Sequence, residues 1–194
     1  MKLGTRRIGT MCGLLGPSVF MVLYVFAMAN DHEYTFFENW LSDLGVGAAA
    51  WAFNSAVIIA GCLTIPFAIL AIRPVLGGGI IVDLAVGFTL GGAVFLILVG
   101  IYTEDYEDLH SIVSVGFFLS MQIALLFYSL SLYRAPVLGK DITWFTVAVF
   151  ALGAVLIAMG FDPQTETVAV LAIVLWGLVV AAAIMWREPG TPIS

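Results

Sequence analysis

Apolar residues fall in six long blocks, at about residues 8–29, 49–72, 80–102, 109–133, 142–160 and 167–186, separated by short polar segments. A block of roughly 20 apolar residues is long enough to cross the hydrocarbon core of a bilayer as a helix. The pattern therefore predicts an all-α polytopic membrane protein, one six-helix transmembrane domain over residues 1–194. Pro17 is a candidate kink in the first span. Arg73-Pro74 followed by Gly77-Gly78-Gly79 predicts a turn after the second. Gly9/Gly13 and Gly87/Gly91 repeat small residues at four-residue spacing, which lets helices approach closely.

Composition agrees: 62% of the 194 residues are hydrophobic and 10% are charged, against about 25% charged in a soluble domain. The six spans leave only short loops and tails. Cys12 and Cys62 both lie inside apolar blocks and suggest no disulfide framework. No basic stripe is present, which argues against nucleic-acid binding.

Charge orients the spans. Lys2, Arg6, Arg7, Arg73, Arg134, Lys140 and Arg187 flank alternate ends of the blocks. Basic residues are retained on the inner side, so both termini are expected in the cytoplasm of a cell-membrane protein. Seven basic residues against Asp83, Asp141 and Glu188 leave the inner side at +4. The other ten acids put the outer side at −10, and together these make the net −6. Tyr34, Trp40, Trp51, Tyr102 and Tyr106 suit an outer aromatic belt, and Tyr133, Trp144 and Trp186 an inner one. The N-terminus, with Arg6-Arg7 and Ala27-Met28-Ala29, has the outline of a secretory signal. Its apolar run is longer than a signal core of about 7–15 residues, so it is read as a retained span.

Three outer segments carry candidate chemistry. In the first loop, Phe37, Trp40, Leu41 and Leu44 would form an apolar face of a short helix, and Asn39, Ser42 and Asp43 a polar one. Capping and turn formation is the plainer account of those polar residues. Asn54 lies one turn into the second span, where an amide needs a partner. The second segment runs from Tyr102 through Glu104, Asp105, Glu107 and Asp108 to His110, with Ser114 one turn further on the same face. A histidine beside carboxylates can exchange protons or bind a metal. Glu107 and Asp108 read more simply as helix-start acids. The third is Glu166, behind Asp162-Pro163 at the start of the last span. Candidate catalytic residues are His110, Asp43 and Ser42, with Asn39, Asn54, Glu104, Ser114 and Glu166 as candidate ligand contacts. A zinc ion would need His110, Asp43 and Glu104, a poorer set than the usual three-ligand catalytic site.

Asn39-Trp40-Leu41-Ser42-Asp43-Leu44-Gly45, Phe53-Asn54, Gly100-Ile101-Tyr102-Thr103-Glu104-Asp105, His110, Phe117-Phe118, Pro163 with Glu166, and Leu175-Trp176 together resemble the domain-of-unknown-function 998 family of small six-helix membrane proteins. The likeness spans nearly the whole chain. It departs at Tyr102-Thr103, where a Phe-Pro-like pair is expected. A more distant similarity is to the Frag/DRAM/Sfk group, which implies a lipid-related role by analogy of fold alone. Three classes stay open: a lipid-binding or lipid-modifying protein with an outer-leaflet site, a small-solute or ion transporter, and a non-catalytic assembly protein. Haem would need a second axial ligand, for which loop residue His32 is poorly placed.

Overall fold

The computed structural model describes residues 3–160 and 162–186; Lys2, Phe161, Arg187 and Glu188 lie outside the described residues. The fold is all helical, with no strand among the described residues. Six helices are long and apolar enough to cross a membrane. They are α1 (Leu3–Asn30), α2 (Ala50–Phe67, carried on to Leu76), α3 (Ile80–Ile101), α4 (Asp108–Arg134), α5 (Lys140–Met159) and α6 (Pro163–Trp186). The chain is a multi-pass membrane protein. Each helix packs on the next in sequence, and α6 returns to α1, which closes the bundle into a ring.

The predicted turn at Arg73 is not a turn. A π-helical segment, Ala68–Ile72, joins α2 to a final helical turn, Arg73–Leu76, and the chain turns at Gly77 and Gly79, both at positive φ. Pro66 and Pro74 flank the wide segment. Neither can donate to the helical ladder, and a local widening absorbs the loss. Arg73 Nε instead bonds Asp83 Oδ1 at 2.9 Å, tying α2 to the start of α3.

Of the two glycine pairs, one makes the close approach. A Cβ at Gly9 would sit 2.7 Å from Leu70 Cβ, and one at Gly13 would run into the Phe67 ring, so α1 crosses α2 there. Gly87 meets nothing within 4 Å and Gly91 only Ser120 Oγ at 3.8 Å. The tight crossing of α3 falls at Gly61 of α2 instead, where a Cβ would lie 2.8 Å from the Ala93 carbonyl.

Two sets of hydrogen bonds, joined by a ring stack, run through the core. Tyr128 of α4 reaches Thr89 of α3 at 2.9 Å, and Thr89 donates to the Ala85 carbonyl. Tyr128 stacks on Trp176 of α6, whose indole N–H donates to Thr146 of α5 at 3.1 Å. Polar groups buried this deeply are costly unless satisfied, and here four helices share the satisfaction. Trp51, Tyr106 and Trp40 are exposed at one end, and Tyr133, Trp144 and Trp186 at the other. These two belts match the headgroup levels of a bilayer. Arg6, Arg7, Arg134 and Lys140 lie at the second, basic end; the loops rich in acids cap the first.

Candidate functional site

The acidic end is organised by a 3-10 helix, Leu41–Gly45, in the loop after α1. A 3-10 turn repeats every three residues, so Leu41 and Leu44 point the same way and are buried together. The expected broader apolar face does not form: Phe37 stays 69% exposed and Trp40 lies at the surface. Asn54 Nδ2 donates to the Gly45 carbonyl at 2.8 Å and fastens the turn onto α2. The amide is spent on structure, away from the ligand-sized cleft described below.

Asp43 Oδ2 accepts the Trp40 N–H at 2.9 Å and the Asn39 amide at 3.2 Å. Asn39 in turn accepts the Thr35 N–H. This pair borders a surface recess with Asp31, His32 and Tyr34. Ser42 faces Glu104 and Glu166. Its hydroxyl donates to Glu104 Oε1 at 2.6 Å and lies 3.4 Å from Glu166 Oε1. Glu166 Oε2 accepts the Leu41 backbone N–H at 2.6 Å. Segments from residues 41–42, 104 and 166 therefore meet at one point.

Local sequence explains how each acid arrives there. Asp162 accepts the Thr165 N–H at 2.7 Å, and Thr165 Oγ1 accepts the Asp162 N–H at 2.8 Å. This reciprocal cap, with Pro163 in the first turn, starts α6 and sets Glu166 on its buried face. Glu104 opens a short 3-10 turn, Glu104–Tyr106, and Glu107 follows at φ 43° before α4 begins. A non-glycine residue there is strained. Burial pushes the Glu104 carboxyl up to about 7, helped by its hydrogen bond with Asp43 and by the charges of Asp43 and Glu166, and opposed by the Ser42 hydroxyl. Two carboxyls that bond to each other must share a proton.

His110 sits beside this group in the first turn of α4 and is buried. Its Nδ1 is 2.7 Å from the Tyr102 carbonyl. A carbonyl only accepts, so Nδ1 carries the proton and Nε2 is the acceptor. Ser114 Oγ lies 3.2 Å from Nε2, which accepts from it when the ring is neutral. Ser42, Glu104, His110, Ser114 and Glu166 all line one open cleft of about 590 Å³. Trp40, Glu107, Asp108, Ser111, Val115 and Phe118 complete its wall.

Five of the eight residues singled out from the sequence thus share the cleft. Asn39, Asp43 and Asn54 do not line it, although Asp43 touches it through Glu104. Of the residues expected for zinc, Asp43 and Glu104 meet each other, while His110 lies on the same cleft as Glu104. Both His110 ring nitrogens are engaged, and among the described residues no three His, Cys, Asp or Glu side chains gather as metal ligands. Sequence reasoning missed the Tyr102 carbonyl and the Leu41 amide, which are backbone groups with no residue-type signal.

No curated protein and no solved structure matches the chain. A family described as "Protein of unknown function (DUF998)" matches residues 14–187. With that match over most of its length, and with the six-helix architecture, the chain belongs to the DUF998 family.

Proposed function

We propose that this protein binds a membrane lipid at the acidic end of the bundle, with the headgroup among Ser42, Glu104, His110 and Glu166. The observation that carries the reading is the cleft's gradient. Half-buried Glu104 and buried Glu166 line its loop end, while Val115 and Phe118 line it further along α4. Val115 is also exposed on the outer surface of α4, so the cleft opens sideways toward lipid. An amphiphile matches such a site, since pockets are mostly apolar with a few placed polar groups.

The carboxyls set the headgroup chemistry. Lys and Arg are absent from the described residues that line the cleft, so a cationic or hydroxyl-rich headgroup is favoured over a bare phosphate. The basic residues at the opposite end favour holding that end inside, which supports an outer-leaflet position for the cleft. A transport path fits less well. Below the cleft, Gln122 is spent on the Phe150 carbonyl at 2.8 Å, and the next space, about 20 Å³, is mostly apolar.

Native mass spectrometry of protein released from nanodiscs tests this. Mixed phosphatidylethanolamine, glycolipid and phosphatidic acid are the probes. Retention of the amine or sugar lipid, lost in the Glu104→Gln/Glu166→Gln double variant, is expected. Equal retention of all three, or retention unchanged in the variant, would overturn the reading.

A further inference from the structure

We infer that Ser114 is a nucleophile and His110 its general base, so that the cleft cleaves a carboxylic ester of the bound amphiphile. This rests on the lipid-binding reading and adds a reaction to it.

The geometry has three parts. Ser114 Oγ is within reach of His110 Nε2, at 3.2 Å. The Tyr102 carbonyl, at 2.7 Å from Nδ1, fixes both the ring and the tautomer that leaves Nε2 basic. A nucleophile, a base and a third group that orients the base form the arrangement that activates a serine hydroxyl. The Tyr102 carbonyl stands where other such sites place a carboxylate.

The direction of the Ser114 hydroxyl is the second observation. Elsewhere in the spans, threonine hydroxyls turn back onto their own helix, while the buried Ser129 Oγ has no hydrogen-bond partner among the described residues. Thr64 donates to Ala60, Thr89 to Ala85 and Thr146 to Ile142, each at 2.8 Å and four residues back. That is the ordinary fate of a hydroxyl in an apolar helix. Ser114 is directed at an imidazole instead, on the wall of a cleft.

Depth is the third. Along α4, His110, Ser114 and Phe118 are spaced four residues apart, about 6 Å of rise each. Ser114 therefore lies one turn below His110 and one turn above Phe118, beside Val115. The ester linkage of a lipid occupies that level, between headgroup and chain.

The reaction balances without a co-reactant other than water. Ser114 Oγ bonds to the ester carbonyl carbon as its proton passes to His110 Nε2. The carbon–oxygen bond to the alcohol breaks, and the alcohol leaves with that proton. Water then gives a proton to Nε2 and attacks the acyl carbon. The acid departs as the proton returns to Ser114 Oγ.

A fluorophosphonate probe on the protein in nanodiscs, read by peptide mass spectrometry, tests the assignment. Ser114 is expected to be labelled, with the rate falling about a hundredfold in His110→Gln. That variant keeps an amide able to donate to Tyr102 but supplies no base. Melting temperature and lipid retention are read on the same samples. An inert Ser114, or labelling indifferent to His110→Gln, in protein that still melts normally and retains lipid would overturn the inference alone. Failure of the wild-type protein to retain lipid would remove the binding reading beneath it.

Discussion

The backbone N–H of Leu41 and the carboxylate of Glu166, 125 residues apart in the chain, meet at 2.6 Å. The contact pins the loop after α1 onto the start of α6. Because Glu166 also faces Ser42, one side chain both holds the 3-10 turn and lines the cleft beneath it.

Replacing that carboxyl separates its two roles. Glu166→Ala leaves the buried Leu41 N–H without an acceptor, and a buried unmet donor costs about 1–3 kcal/mol. Glu166→Gln keeps an acceptor oxygen and is expected to recover most of the loss. Thermal or denaturant unfolding in detergent checks the order wild type, then Gln, then Ala.

Stability is expected to fall as pH rises toward neutrality. Glu104 in the fold holds its proton up to about 7, against an ordinary value of 4.5. A carboxyl with a raised pKa binds the proton more tightly folded than unfolded, so its contribution is fully present below about 4.5 and lost as pH rises through about 7. Melting temperature measured from pH 4 to 8 should therefore decline across that window. Glu104→Gln, which stays neutral and still accepts from Ser42, should flatten the decline.

Glu107 holds φ 43° between the 3-10 turn and α4. Glycine takes positive φ at little steric cost, whereas other residues pay about 1 kcal/mol or more. Glu107→Gly is expected to stabilise the protein relative to Glu107→Ala, by about 1 kcal/mol in chemical unfolding. A Glu107→Ala variant at least as stable as Glu107→Gly would show that this turn carries no strain.

Gly61 sets how closely α2 and α3 cross. A Cβ there would lie 2.7 Å from Ile97 Cγ1 and 2.8 Å from the Ala93 carbonyl, and the backbone atom cannot rotate away. Gly61→Ala is expected to destabilise by about 1–3 kcal/mol, as overpacking does. Gly87→Ala, with nothing within 4 Å, serves as the neutral control in the same melting experiment.

The six spans were legible because burial in lipid requires long apolar helices, and length and hydropathy report that without any knowledge of packing. The aromatic belts followed from the same one-dimensional pattern. The turn after α2 was misread because Arg73-Pro74-Val75-Leu76 looks like a loop by composition, while Pro74 is tolerated once Ala68–Ile72 has opened to a π turn. Gly87 and Gly91 fit a packing pattern by spacing, yet spacing does not say which helix face meets a neighbour.

The sequence by itself determined the architecture, and with it the set of polar residues confined to one end of the bundle, because each span can only connect to the next at a membrane surface. Only the tertiary structure decided how those residues meet. The 3-10 turn brings Ser42 and Asp43 both to Glu104, with Ser42 also near Glu166 and Asp43 accepting from Asn39 and Trp40. The backbone carbonyl of Tyr102 pairs His110 with Ser114 by fixing its tautomer. The contacts that Glu104 and Glu166 make with Leu41 and Ser42 span 62 to 125 residues, which no local periodicity encodes.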